Sequence, residues 1–411
     1  MLRSYLKLSL KILGRRKFFT FVSLFGIGFT LLVLTLSAAV FDHVFSPYAP
    51  EIHGDRTLMV SGVKLTGAES SSTSPAGYGL LDKYFRDLPG IERMSIFSQP
   101  ETVISYWKGA RLSSLLKRTD ADFFRILSFD FIEGGPYGDA DVNEAGLVAV
   151  INESTRRKFF GVGKAMGERI EADGQSFKVV GVVPDVPFIR LVANGDIYVP
   201  VTTSKTDIYR TKLRGGFMGI LLMKEGVLAE SVQQEFKARL AKVELTPPFD
   251  HIYVKPETFF SGSARNLIGD YELEDPGARL FAILMTMALL FMILPAVNLV
   301  NLNVSRALER ASEIGVRRAF GASAWDLMMQ FLFENLVISL VGGVLALVAS
   351  ALVLAALNSS DLIPYARFSL NLRIAAWGFG FALLFGVVSG VWPAYRLSRL
   401  KPIEALAGGT R

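Results

Sequence analysis

The sequence predicts an α-helical membrane protein with four transmembrane helices plus a large α/β (α+β) extracytoplasmic domain inserted between the first and second spans. Three observations carry that reading. Four stretches of 22 to 24 residues contain no Lys, Arg, Asp or Glu. The 238 residues between the first and second stretch alternate strand-like and helix-like patterns. Basic residues crowd onto one set of connections and leave the other nearly balanced.

The composition sets the frame: 51% apolar and 20% charged residues over 411, with mean hydropathy +0.37, are too apolar for an ordinary soluble domain and too charged for an all-membrane chain. Cysteine is absent, which excludes disulfides, thiolate metal sites and cysteine nucleophiles while permitting an oxidising compartment. The three histidines, His43, His53 and His251, are too scattered for a histidine metal pair. No catalytic residue, cofactor site or metal site is expected in this chain.

Residues 1–17 form a basic amphipathic segment, followed by the first span at 18–41. Its 24 uncharged residues reach ~36 Å as a helix, enough to cross a ~30 Å hydrocarbon core with some tilt. The run exceeds the apolar core of a cleaved signal peptide, which favours an uncleaved signal anchor. Further spans are expected at 280–302, 336–357 and 374–395, joined by a short extracytoplasmic loop at 358–373. Gly342 and Gly343 offer a place for another helix to approach closely. Pro295 is placed to kink the second span, and Asn298 and Asn301 to bond across helices.

Orientation follows from charge. The leading segment, the 304–326 loop and the 396–411 tail hold fourteen bases against four acids, the positive-inside pattern that puts both termini in the cytoplasm. Residues 42–279 then lie outside, with 28 bases against 32 acids. The net charge of +6 therefore describes topology, and no nucleic-acid partner is expected.

In the outer domain, strands are predicted at 57–63, 102–107, 147–152, 177–183, 196–201, 219–224 and 251–255, each rich in β-branched or apolar residues. Leu81, Tyr84, Phe85 and Leu88 repeat at helical spacing, as do Leu228, Val232, Phe236 and Leu240, and both sets read as core-facing stripes. The GAESSSTSPAGYG run at 67–79 has little apolar surface to bury and reads as a mobile loop or hinge. Asp120, Asp122, Glu133, Asp141 and Glu153 show no catalytic pairing and read mostly as solvated charges. GVGKAMG at 161–167 lacks the Ser or Thr of a phosphate-binding loop because Ala165 follows the lysine. Nothing in this chain reads as an ATPase.

The 303–335 segment reads as a cytoplasmic stalk and coupling element. Arg306, Arg310, Glu313 and Arg317 recur at three and four residues and share a helical face suited to an acidic partner or lipid headgroups. A turn at Gly321–Ser323 changes direction, with Ser323 as N-cap of a helix beginning near Ala324. Glu334 is expected to stay hydrated at the membrane boundary.

EIGVRRAFGAS at 313–323, then QFLFEN and a GG-containing span, resembles the MacB/FtsX-like ABC transporter permease family. WPAYRLSRLKPIEAL at 392–406 is similar to the family's ending. RTDADFFRILSFDFIEGGPY at 118–137 and VAVINESTRRKFFGVGKAMGERIEADGQSFKVVGVVPDV at 148–186 look like the MacB-type periplasmic core, and Tyr198–Pro200 fits it too.

The resemblance implies a mechanotransmission permease in the inner (plasma) membrane, driven by a separate cytoplasmic ABC ATPase that binds ATP and magnesium. MacB-type proteins carry a fused ATPase, whereas seventeen residues precede the first span here, so the nucleotide-binding subunit is expected to be another chain. Carried onto this sequence, the ATPase-coupling residues are Glu313, Gly315, Arg317, Arg318, Gly321, Ala322, Ser323 and Glu334. The implied partners are that ATPase, a second permease (an identical or related chain), membrane lipid and a periplasmic adaptor. The implied task is efflux of a compound, peptide or lipoprotein; the alternative is an FtsX-like transmitter controlling an extracytoplasmic cell-wall hydrolase. The size of the outer domain favours transport.

Overall fold

A computed structural model describes residues 17–46, 48–107, 110–161, 163–309 and 320–360, with shorter pieces between 316 and 391. The chain divides into two compact units, one of them Val44–Phe281 and the other holding the long apolar helices.

The Val44–Phe281 unit is built on thirteen strands: β1 (Thr57–Val60), β2 (Gly62–Thr66), β3 (Ser71–Pro75), β4 (Ile91–Ser98), β5 (Glu101–Trp107), β6 (Ala110–Thr119), β7 (Glu133–Gly134), β8 (Val148–Asn152), β9 (Arg169–Ala172), β10 (Gln175–Val183), β11 (Ile197–Pro200), β12 (Phe217–Met223) and β13 (His251–Tyr253). Ten form one mixed sheet ordered β1-β12-β4-β6-β11-β8-β10-β7, with β5 on β6 and β9 on β10. Two pairs are parallel, β11 with β6 and β10 with β8; the rest are antiparallel. A small second sheet runs β13-β2-β3.

Strand periodicity explains why β12 is buried throughout. Leu221 and Met223 join one core cluster, while Ile220 and Leu222 join another, as alternation across a sheet requires. The first cluster receives helices Tyr78–Phe85 and Ala229–Leu240, whose Phe85 and Phe236 rings stack at 3.6 Å. The second includes five aromatic side chains, Phe97, Phe123, Phe124, Tyr137 and Tyr198. A third, around Ala149, Ile151, Phe177 and Ile197, fills the β8–β10–β11 end.

All seven expected strand regions contain strands, and two further long ones, β4 and β6, complete the sheet. The 67–79 run is not a loop. It contains β3, paired with β2 over five residues from Gly62↔Pro75 to Thr66↔Ser71. Serines serve here because a strand at a sheet edge is held by backbone hydrogen bonds and needs little apolar burial. Gly77 follows it against the backbone of Lys212–Arg214, where a Cβ has no room. Leu228 also departs from expectation: it is 70% exposed, because the helix starts at Ala229 and leaves it at the cap.

Among the described residues, two helical stretches are long and apolar enough to cross a membrane, Thr20–Phe45 and Met328–Ser359. The helix Pro276–Glu309 contains the expected 280–302 segment, several of whose side chains from 292 onward lie outside the described residues. The expected 374–395 span falls largely outside the described residues, as do the side chains of Pro295 and Asn298. Ile27, Leu31, Ile338 and Ala346 form a buried cluster. There Gly342 faces the first helix so closely that an added Cβ would stand 3.2 Å from Ile27 Cγ2.

Candidate functional site

Of the expected coupling residues, Glu313, Gly315, Arg317 and Arg318 lie outside the described residues. Of the remaining four, Gly321, Ala322 and Ser323 shape the start of one helix, and Glu334 lies within it. Gly321 takes φ +93°, a conformation glycine adopts without strain. Ala322 follows, and Ser323 caps the helix Ala324–Ser359 in a reciprocal box with Asp326. The serine hydroxyl accepts from Asp326 N at 3.2 Å, and the Asp326 carboxylate accepts from Ser323 N at 3.2 Å. Phe320 and Trp325, 87% and 64% exposed, flank this break. Glu334, three turns on, is buried rather than hydrated and accepts from Gln330 Nε2 at 3.1 Å. A partner one helical turn away supplies what water would.

A second group of residues was not foreseen. Where the first long helix ends at Phe45, the chain enters the α/β unit through Ser46–Glu51. Arg190, only 2% exposed, gathers that stretch: it donates to Ser46 O at 3.1 Å, Tyr48 O at 3.2 Å and Glu51 Oε2 at 3.0 Å. Glu51 Oε1 accepts from Ala193 N at 3.2 Å, and Pro50 O from Ser128 N at 2.9 Å. Behind it, the fully buried Lys117 of β6 donates to Val192 O at 2.6 Å and Leu191 O at 3.1 Å, between the Phe97 and Phe123 rings. Burial pushes the Lys117 ammonium down to about 7, against the pull of Glu51, and burial pushes the Glu51 carboxyl up.

The chain leaves the unit through a matching knot. Arg265 and Glu257, 5% and 4% exposed, form a two-pronged pair with both contacts at 2.7 Å. The other guanidinium hydrogens go to the carbonyls of Asp270, Tyr271 and Leu273, between 2.8 and 3.1 Å. Glu257 exchanges backbone hydrogen bonds with Met59 of β1, at 2.7 and 3.0 Å. The segment leading to Pro276 is thereby fixed to the main sheet. Between the knots lies a cavity of about 160 Å³, lined by Phe45, Glu51, Met59, Ile220, Phe259 and Phe260 among others.

Asp120 is the one acid among those read as solvated that is buried. It accepts from Ser95 Oγ at 2.6 Å and from the amides of Ile96 and Phe123. Burial outweighs these bonds and pushes its carboxyl up to about 6. Among the described residues no acid or histidine cluster is arranged to hold a metal ion.

No local pattern could have revealed Arg190, whose partner Glu51 lies 139 residues away. The available signal was weak: charges set inside apolar runs, Arg190 in PFIRLV and Lys117 in LLKRT.

A large α/β unit whose entry and exit segments are fixed by buried ion pairs is continuous in sequence with helices apolar and long enough to cross a membrane. The chain belongs to the MacB/FtsX-like ABC transporter permease family: residues 20–239 match the MacB-like periplasmic core domain and residues 285–402 the FtsX-like permease C-terminal domain. The α/β unit is thus the periplasmic domain of a membrane permease. Among similar proteins, a macrolide export ATP-binding/permease protein MacB of Bdellovibrio bacteriovorus is 28% identical over 63% of this chain and 38% of its own length. One of Burkholderia cenocepacia is 26% identical over 74% of this chain and 43% of its own length. The chain thus spans about two fifths of the length of these relatives. The periplasmic region of MacB from Actinobacillus actinomycetemcomitans aligns with a TM-score of 0.40 and 15% identity, covering 53% of this chain and 94% of that one.

Proposed function

We propose that this chain is the transmembrane subunit of an ABC transporter of the mechanotransmission type, in which a separate cytoplasmic ATPase, holding ATP and Mg²⁺, moves the periplasmic domain through the helices. In this reading four spans place both termini in the cytoplasm, and the permease acts as a pair of identical or related chains, with a periplasmic adaptor as further partner. The exported cargo is an organic compound, peptide or lipoprotein; the macrolide export named for the relatives makes an amphipathic compound the first probe.

The observation that carries the reading is the pair of buried knots at Arg190–Glu51 and Arg265–Glu257. A domain that only tethers or senses has no need to fix both of its membrane connections to its main sheet, whereas a domain that is driven does. Slack in those few residues would absorb helix motion before it reached the sheet. The input is assigned to 309–334, where exposed Phe320 and Trp325 flank the capped break. ATP-bound and ATP-free ATPase must contact this stretch differently, since equal affinity shifts no equilibrium.

Co-expression with the cognate ATPase tests the input. The expected result is a complex that loses assembly and permease-dependent ATP hydrolysis when Arg317 and Arg318 are both changed to Glu. Intact assembly in that variant would remove the coupling role from this segment. Deletion of the chain should lower tolerance to a macrolide without a cell-wall defect; a pure wall-hydrolysis phenotype would replace transport with regulation.

A further inference from the structure

The knot at Arg190 turns charge inward and apolar side chains outward. Phe188 and Leu191, on either side of the buried arginine, are 51% and 52% exposed. Tyr48, within the bonded stretch, and Ile52, just after it, are each 45% exposed. Scattered exposed apolar residues are ordinary, but the two segments that carry these four are joined by one set of hydrogen bonds. Arg190 bonds Ser46, Tyr48 and Glu51 together and its guanidinium lies over the Tyr48 ring, so the 188–191 segment is tied to the stretch that carries Tyr48 and Ile52.

Their place along the chain supplies the partner. Phe45 ends the apolar helical stretch Thr20–Phe45. At 3.8 Å per residue, Tyr48 lies no more than ~11 Å from Phe45, and the Arg190 guanidinium is 3.1 Å from the carbonyl of the very next residue, Ser46. The second knot repeats the pattern, with Leu267 75% exposed two positions after the buried Arg265 and nine before Pro276. Aromatic and aliphatic side chains on segments tied to a membrane helix's end suit the boundary between headgroups and acyl chains, where Tyr and Phe settle with one side wet and one side apolar.

We infer that Tyr48, Ile52, Phe188 and Leu191 form a lipid-contact surface, by which the base of the periplasmic domain rests in the outer-leaflet interface of the bilayer. The inference rests on the reading of Thr20–Phe45 as a membrane span. Its partner is the lipid surface itself, and Arg190 acts beneath it as the residue that positions the patch.

The absence of native cysteine allows a clean test. Single-cysteine variants Phe188→Cys and Leu191→Cys, with Phe29→Cys in the first helix and Ile104→Cys on β5 as references, are spin-labelled in the full chain in phosphatidylethanolamine/phosphatidylglycerol vesicles. Collision with oxygen, which concentrates in lipid, is compared with collision with a water-soluble nickel chelate. The expected oxygen-to-nickel ratio at 188 and 191 is several-fold above that at 104 and approaches that at 29. Ratios at 188 and 191 equal to that at 104, with 29 still in lipid, overturn the surface and leave the span standing. Labels at 188 and 191 shielded from both reagents also overturn it, because protein then covers the patch. A nickel-favoured label at 29 removes the span and the inference with it.

Discussion

Arg190 bonds Ser46, Tyr48 and Glu51, and Arg265 bonds Glu257 and the carbonyls of Asp270, Tyr271 and Leu273, so each removal strands several buried groups at once. Breaking a buried pair by removing one partner typically costs about 3–5 kcal/mol. Arg190→Ala and Arg265→Ala are each expected to lower stability by that order, read as a shift in the urea midpoint of the full chain in detergent. The pair Glu51→Leu with Arg190→Met replaces the ions by apolar groups and should recover the part of the loss that comes from the stranded Glu51 charge, while the carbonyls of Ser46 and Tyr48 and the amide of Ala193 stay without these partners.

The buried ionisable groups set the pH response. Asp120 at about 6 lies above its ordinary value, so folding takes up a proton between roughly pH 4 and 6, and stability falls as pH rises through that window. Glu51, raised by burial, acts in the same direction. Lys117 at about 7 lies below its ordinary value, so folding releases a proton between about pH 7 and 10, and stability rises with pH there. Urea midpoints followed by near-ultraviolet circular dichroism should show both limbs. Asp120→Asn should flatten the acid one and Lys117→Met the alkaline one. An unchanged alkaline limb in Lys117→Met would mean that the lysine is not the titrating group.

At the scale of elements, the start of the Ala324–Ser359 helix makes the most exposed prediction. Ser323→Ala removes a side-chain cap, a loss of about 1 kcal/mol. Replacing Gly321 by Val puts a β-branched residue at φ +93° and costs about 1–2 kcal/mol. Either change should speed hydrogen exchange in the first turn after Ala324 while leaving the α/β unit unchanged. Gly342→Leu should lower the stability of the helical unit by about 1–3 kcal/mol, because Ile27 stands where the side chain would go.

The cap at Ser323 was legible because capping is a local pattern: Ser followed three residues later by Asp, ahead of an apolar run. The seven strand regions were legible for the same reason, by their runs of Val, Ile, Leu and Tyr. β3 was hidden because an edge strand of serines has no apolar signature, and β4 because IERMSIFS mixes charges into its first half. The two knots were hidden for a different reason. Glu51 reads as one more acid until the fold brings Arg190 to it. Asp120 likewise reads as solvated until β4 and the Asp122–Ile126 helix close over it.

For the whole molecule, the account treats the periplasmic domain as a body driven through two stiff joints. Long helices alone transmit nothing to a domain that hangs on loose connections, and stiff joints transmit nothing without an input. The cavity of about 160 Å³ between the joints leaves side chains room to rearrange without dismantling the sheet. Hydrogen exchange of the permease–ATPase complex, with and without a non-hydrolysable ATP analogue, tests the drive and the joints together. The account predicts a nucleotide-dependent change in protection at 46–51 and 186–196 in the native chain. It predicts loss of that change in the Glu51→Leu/Arg190→Met pair, although the ATPase still binds. Exchange in the periplasmic domain that ignores nucleotide in the native complex, or responds undiminished in the pair variant, would contradict it.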